Sequence, residues 1–382
     1  MIYSIPYVTL IIFLGTLAYL TEKKQEDKEF CTKLIYLGFG VFFVFFAFRG
    51  YIFHDWRNYF NEFENLKFYN LVNYEFGDIK SHEPGWMLFN LICKAILDDY
   101  HFMIFVLTLI ETLLLYNFLK KYSSNILLSL TIMLVFEGFV IICNLLRNLP
   151  AMLVFLNIIP YISKKRPIKY FLGCIIAISI HFSSIIFIPL YFILNRNTNK
   201  YIYISVVAIC NVIFVIHVPM VTGLIKLLHI GGDFLETKLD VYSEIAGSRG
   251  IGLGYVERLL TSVLIFCYYD KLKKLKEYNK IFINTFLLYI ITFSILNEFD
   301  EIAKRFSTLF IYAYWIIWPE LIKCFYYKNN KNLFASFLGI YCIIKIIATV
   351  NFPLAEYQNI LLGNDKSYQE QKFLFDKTID VK

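Results

Sequence analysis

The sequence predicts an all-helical, polytopic membrane protein folded as one domain over 1–382. Three observations predict it. Of 382 residues, 58% are hydrophobic and only 18% charged, against about a quarter charged in a soluble chain. The apolar residues gather into runs that are apolar on nearly all faces, as helices must be when every backbone group is satisfied internally. No internal repeat and no Gly/Ser- or Pro-rich linker divides the chain. This composition excludes a soluble enzyme, a disordered tail protein and a nucleic-acid binder.

The elements follow in order. A span needs roughly 20 mostly apolar residues, fewer where the bilayer thins. About ten spans are expected, at 3–20, 34–48, 102–119, 125–143, 147–163, 201–218, 255–269, 281–296, 305–322 and 333–349. The first run has no basic leader and no small-residue cleavage site, so it reads as a retained span. The eight cysteines form no Cys-x-x-Cys pair and lie mostly inside apolar runs, where they act as small hydrophobes.

Orientation follows from the basic residues of short connections. The loops 21–33, 120–124, 164–169, 195–200, 270–280 and 323–332 hold 20 of the 37 Lys/Arg but only six of the 30 Asp/Glu. They are therefore expected on the cytoplasmic side, with both termini outside. The formal charge of +7 is an orientation signal rather than a binding patch. The stretch 170–194 has no charged residue and lies between two basic loops. Twenty-five residues are too many for one ordinary span and too few for two. A broken or re-entrant hairpin turning near His181 resolves this, since irregular backbone at membrane depth is tolerated where protein or a water-filled cavity covers it. The alternative is one long tilted helix with Arg196 outside.

In that topology the polar segments share one outer mouth: the loops 49–101 and 219–254, the turn 144–148, the hairpin tip, 297–305 and the tail 351–382. Arg49 ends a span, where its guanidinium suits a phosphate. Asp55 and Glu83 are carboxylates set among Trp56, Tyr59 and Trp86, surroundings that stack sugars and raise carboxyl pKa values. An interfacial aromatic belt is the other reading of those rings. His82-Glu83 lacks the second histidine of a zinc-protease motif. Arg147 stands alone at the turn between two apolar helices, with Glu111 and Glu137 as possible structural partners.

Ser179-Ile180-His181-Phe182-Ser183-Ser184 marks the hairpin tip, where a histidine flanked by hydroxyls suits proton transfer or phosphate contact. The glycine-rich stretch around Arg249 has no strand before it and is not a dinucleotide fingerprint. Glu257-Arg258 begins a span, and Asn297-Glu298-Phe299-Asp300-Glu301 leads into Lys304-Arg305. Arginines 49, 147, 249, 258 and 305 suit a pyrophosphate, aromatics suit sugar rings, and a carboxylate or histidine can deprotonate a hydroxyl. With no metal cluster in sight, the arginines would stand in for a cation. The chemistry indicated is glycosyl transfer from a lipid pyrophosphate, without a cofactor.

At these residues the chain resembles the EpsG-like polysaccharide polymerases, a group that includes many O-antigen polymerases of the Wzy type. The matching elements are Phe48-Arg49-Gly50 with Asp55 and Tyr59, Glu83-Pro84-Gly85, Arg147, Ile180-His181-Phe182-Ser183-Ser184 and Glu301-Ile302-Ala303-Lys304-Arg305. They span about residues 35–325. The resemblance implies a GT-C-like glycosyltransferase of the inner membrane, active at the periplasmic face on undecaprenyl-pyrophosphate-linked repeat units. It further implies transfer of the growing glycan to the incoming unit, often alongside a chain-length regulator; the mechanism expected is inverting displacement at the anomeric carbon. Arg49, Arg147, Arg249, Arg258 and Arg305 would hold the pyrophosphate, with Glu301, Tyr59 and Trp56 also contacting substrate. Asp55, Glu83 or His181 would take the acceptor proton.

Two other functions fit a membrane protein. A flippase for lipid-linked sugars needs a charged path through the membrane, yet few ionisable residues (Glu111, Glu137, Lys345) lie deep in the spans. An O-antigen ligase is expected to carry a large arginine-rich outer loop, and the two longest loops hold only Arg49, Arg57 and Arg249.

Overall fold

A computed structural model describes residues 2–74, 82–223 and 251–379. Among them the backbone is helical without strands, apart from an isolated bridge between Arg49 and Asn359. Five helices are long and apolar enough to cross a membrane: Ile2–Lys23 (α1), Lys28–Ala47 (α2), Tyr100–Tyr122 (α6), Ile126–Asn144 (α7) and Lys328–Val350 (α16). The helices α3 (Trp56–Asn65), α4 (Phe68–Val72) and α5 (Pro84–Ile96) lie between α2 and α6. Shorter apolar helices follow α7: Asn148–Ser163 (α8), Pro167–Ile180 (α9), Lys200–Ile216 (α10) and Asn279–Ile295 (α13). The remaining helices of seven or more residues are α11 (Leu253–Cys267), α12 (Tyr269–Leu275), α14 (Asp300–Thr308), α15 (Tyr312–Cys324) and α17 (Tyr368–Ile379). The chain is a multi-pass membrane protein.

Helix starts are set by polar caps at the edges of the apolar runs. Asp27, Asp99 and Asn125 each accept the N–H of the residue three further on, opening α2, α6 and α7. Two expected spans differ from uniform helices. In α7, five residues from Leu134 to Gly138 form a π-helical turn, with Glu137 at φ 68°. Gly138 permits it, because a Cβ there would fall 2.3 Å from the Met133 carbonyl oxygen. The span expected at 305–322 is divided between α14 and α15. Leu309, Phe310 and Ile311 bond back three residues rather than four. The Ser307 and Thr308 hydroxyls both donate to the Lys304 carbonyl, a competition that bends helices.

The helix α9 stops where the sequence places a break. His181 is extended (φ −153°, ψ 121°), and a 3-10 turn covers Phe182–Phe187. The chain then doubles back on α9: the Tyr170 hydroxyl donates to the Phe187 carbonyl at 2.5 Å, and the Tyr170 and Tyr191 rings lie 5.2 Å apart. Phe187 stacks on Phe155 of α8 at 4.0 Å. A reversal at His181 therefore replaces one long helix.

The fold has two compact units. The first comprises 1–191 and 328–382. In it α1 packs on α7 and α16, α2 on α6, α6 on α8, and α8 on α9. An aromatic core of Tyr51, Trp56, Tyr59, Phe63, Trp86 and Tyr100 joins α3 and α5 to the start of α6. α17 covers this core, with Tyr368 stacked on Phe60 at 4.4 Å and Asp376 bonded to Arg57 at 2.9 Å. The second unit comprises 192–327. There α13 packs against α10, α14 and α15, and the Asn284 amide donates to the Leu194 and Arg196 carbonyls.

Candidate functional site

Three segments of the first unit converge on Glu83. This residue precedes Pro84, which starts α5 with its φ already helical. Gly85 follows, and a Cβ there would fall 2.5 Å from Ser179 Oγ and 2.7 Å from the Ser179 carbonyl oxygen. Only glycine lets α5 begin against the last turn of α9, which brings Glu83 to the hairpin tip. One Glu83 carboxylate oxygen accepts the Phe182 N–H at 2.7 Å and lies 2.9 Å from His181 Nδ1. The other accepts Arg147 Nη1 at 2.5 Å.

Burial alone would raise the Glu83 carboxyl. The bonds from His181 and Phe182, with the Arg147 charge, outweigh it and hold the pKa down to about 2. Glu83 is thus held as an anion by three partners, which it orients about one point. Arg147 opens α8, and only one of its five N–H donors goes to Glu83. Its Nε is buried without a partner among the described residues. Tyr59 of α3 shares a hydrogen bond with Arg147, while burial keeps the phenol above its usual range. Ser183 donates to Asn148 Oδ1 at 3.4 Å, tying the tip to α8. The side chains of Glu83, Arg147 and His181 are 13%, 21% and 22% exposed, so the group is ordered yet open to a ligand.

The other expected residues lie in varied places. Arg49 is 4% exposed, and its guanidinium donates to the Phe46 and Ile142 carbonyls and to Thr108 Oγ1. Those bonds clamp α2, α6 and α7 together, and none goes to the Glu83 group. Asp55 opens α3, with its N–H donating to Asn144 Oδ1 at 3.3 Å. Trp56 is 2% exposed beneath Tyr51, Tyr368 and Phe375, a packing position rather than an open stacking surface. In the second unit the Arg258 guanidinium lies 3.6 Å from the Phe293 ring centre and bonds the Tyr289 hydroxyl. It lines a cavity of about 10 Å³, room for a single water-sized group, with Asn211, Phe214, Tyr255 and Ser262. Arg305 is exposed on α14. Arg249 and the Glu301 side chain lie outside the described residues.

Sequence reasoning passes over Glu62 and weighs His82 only against a zinc-protease motif, yet both stand beside this group. Glu62 lies one helical turn after Tyr59 on the buried face of α3, and that spacing was the available signal. Among the described residues, no group of three or more His, Cys, Asp or Glu side chains is assembled to hold a metal ion.

The fold and this cluster define a multi-pass helical membrane protein with a charged, histidine-bearing group at a helical hairpin. The EpsG family model matches residues 6–361, nearly the whole chain, and the protein belongs to that family. No curated protein and no solved structure matches it.

Proposed function

We propose that the protein polymerises polysaccharide repeat units carried on undecaprenyl pyrophosphate, for O-antigen or a related surface glycan. The observation that carries this reading is the joining of Arg147 and His181 through one Glu83 carboxylate at the hairpin tip. The free donors of Arg147 suit a pyrophosphate. His181, whose Nδ1 faces Glu83, presents Nε2 outward to the reacting group. Transfer is inverting: the incoming unit's hydroxyl attacks the anomeric carbon of the growing glycan, and lipid pyrophosphate leaves. EpsG membership supports a membrane polymerase of this kind.

In this reading the protein sits in the inner membrane, with both termini and the site on the periplasmic side. Its GT-C-like helical scaffold works beside a chain-length regulator. The test is a cell lacking the protein, examined for surface glycan length. Single repeat units on the lipid anchor are expected. Absence of outer-leaflet units would indicate a flippase instead, and full-length polymer left on its lipid carrier would indicate a ligase.

A further inference from the structure

The Glu83 group has a neighbour built on a similar plan. Glu62 has one carboxylate oxygen 2.9 Å from His82 Nε2, within ion-pair distance. Its other oxygen accepts the Trp86 indole N–H at 3.1 Å. Trp86 is fully buried and fixes the carboxylate, while the His82 side chain remains 30% exposed. His82 and Glu83 are consecutive, and Arg147 interacts electrostatically with both Glu62 and Glu83.

Charge balance separates the two histidine–carboxylate pairs. Glu83 already bonds a guanidinium and a backbone N–H, so a proton arriving on His181 leaves that group with net positive charge. Among the described residues the hydrogen bond to Glu62 comes from the neutral Trp86 indole, so a proton arriving on His82 leaves the Glu62–His82 pair itself neutral. A carboxylate holding one imidazole nitrogen fixes the tautomer and leaves the other nitrogen with its lone pair outward. At His82 the nitrogen not facing Glu62 is Nδ1.

We propose that Glu62 and His82 form a second acid–base pair, in which His82 Nδ1 removes the proton of the acceptor hydroxyl and Glu62 acts as its positioning residue. This rests on the polymerase reading above. As the acceptor O–H bond breaks, its proton moves to His82, and the oxygen's electron pair forms the new bond to the anomeric carbon. The bond from that carbon to the pyrophosphate oxygen breaks with its electrons staying on oxygen, where Arg147 offsets the charge. His82 then releases the proton to water.

The test uses cells whose own copy is deleted and replaced by variants, with surface glycan length read on gels and protein level read in membranes. His82→Gln keeps an N–H able to reach Glu62 but has no basic nitrogen. It is expected to lower polymer roughly hundredfold or more at unchanged protein level. Added imidazole is expected to restore chain growth partly in His82→Ala, a response that a purely structural role would not give. Full-length polymer from His82→Gln, or no response of His82→Ala to imidazole, overturns the assignment. Full-length polymer in the deletion strain would instead overturn the polymerase reading itself.

Discussion

Glu83 and His181 stand 98 residues apart in sequence and meet at 2.9 Å, at a point where an α-helix begins beside the place where another ends. Each is held by its own element. Their meeting depends on the close approach of those two elements.

That approach runs through Gly85. Replacing it with Ala puts a methyl 2.5 Å from Ser179 Oγ and 2.7 Å from its carbonyl, so α5 must shift. A displacement of about 1 Å can cost roughly hundredfold in rate. Gly85→Ala is expected to shorten surface glycan sharply at near-normal protein level. Gly339→Ala, where nothing lies within 4 Å, is the control expected to leave glycan length unchanged.

The Glu83 carboxyl makes stability depend on acidity. Its folded pKa of about 2 lies below the usual 4.5. Its contribution is therefore complete above 4.5 and is lost as pH falls from 4.5 towards 2. The full effect is about 3 kcal/mol. Thermal unfolding in detergent at pH 5 and pH 3 is expected to show a drop in wild type that is smaller in Glu83→Gln. Equal drops in both proteins would contradict the assignment.

Two arginines are expected to fail in different ways. Arg49→Ala strands the Phe46 and Ile142 carbonyls and Thr108, and should cost about 3 kcal/mol of stability, seen as depleted protein in membranes. Arg147→Ala should leave protein in the membrane while cutting polymer roughly hundredfold. Quantitative blotting beside glycan gels separates the two, and normal polymer from Arg147→Ala would count against its role at the pyrophosphate.

The reversal at His181 carries a topological expectation. The charge bias of the short loops predicts 164–169 and 195–200 on the cytoplasmic side, so Asn197→Cys should resist a membrane-impermeant thiol reagent applied from outside and react after the membrane is opened. Efficient labelling of intact cells would contradict that placement.

Much of this arrangement was legible in residue order. The uncharged stretch between two basic loops located the break at His181, because neither one span nor two could absorb it. Glu83, Arg147 and His181 were each visible as polar groups at the edges of apolar runs. What residue order could not provide was partnership. Arg49 reads as a ligand for phosphate because it ends a span, where a guanidinium can reach a headgroup. Two of its three acceptors come from α6 and α7, 59 and 93 residues away; the third is the Phe46 carbonyl three residues before it. The pairing of Glu62 with His82 was hidden for the same reason. The division near Leu309 has a local sign, the adjacent hydroxyls of Ser307 and Thr308, but the apolar run around them has the composition of one unbroken span.

The first unit is built from two stretches of chain separated by the second. During synthesis, the triad of Glu83, Arg147 and His181 leaves the ribosome long before α16 can pack on α1, or α17 on the aromatic core beneath Trp56. The nascent protein must therefore hold an unfinished bundle in the bilayer while residues 192–327 are inserted. Completion of α16 and α17 closes it, which makes the order of translation part of how the Glu83 group comes to be enclosed.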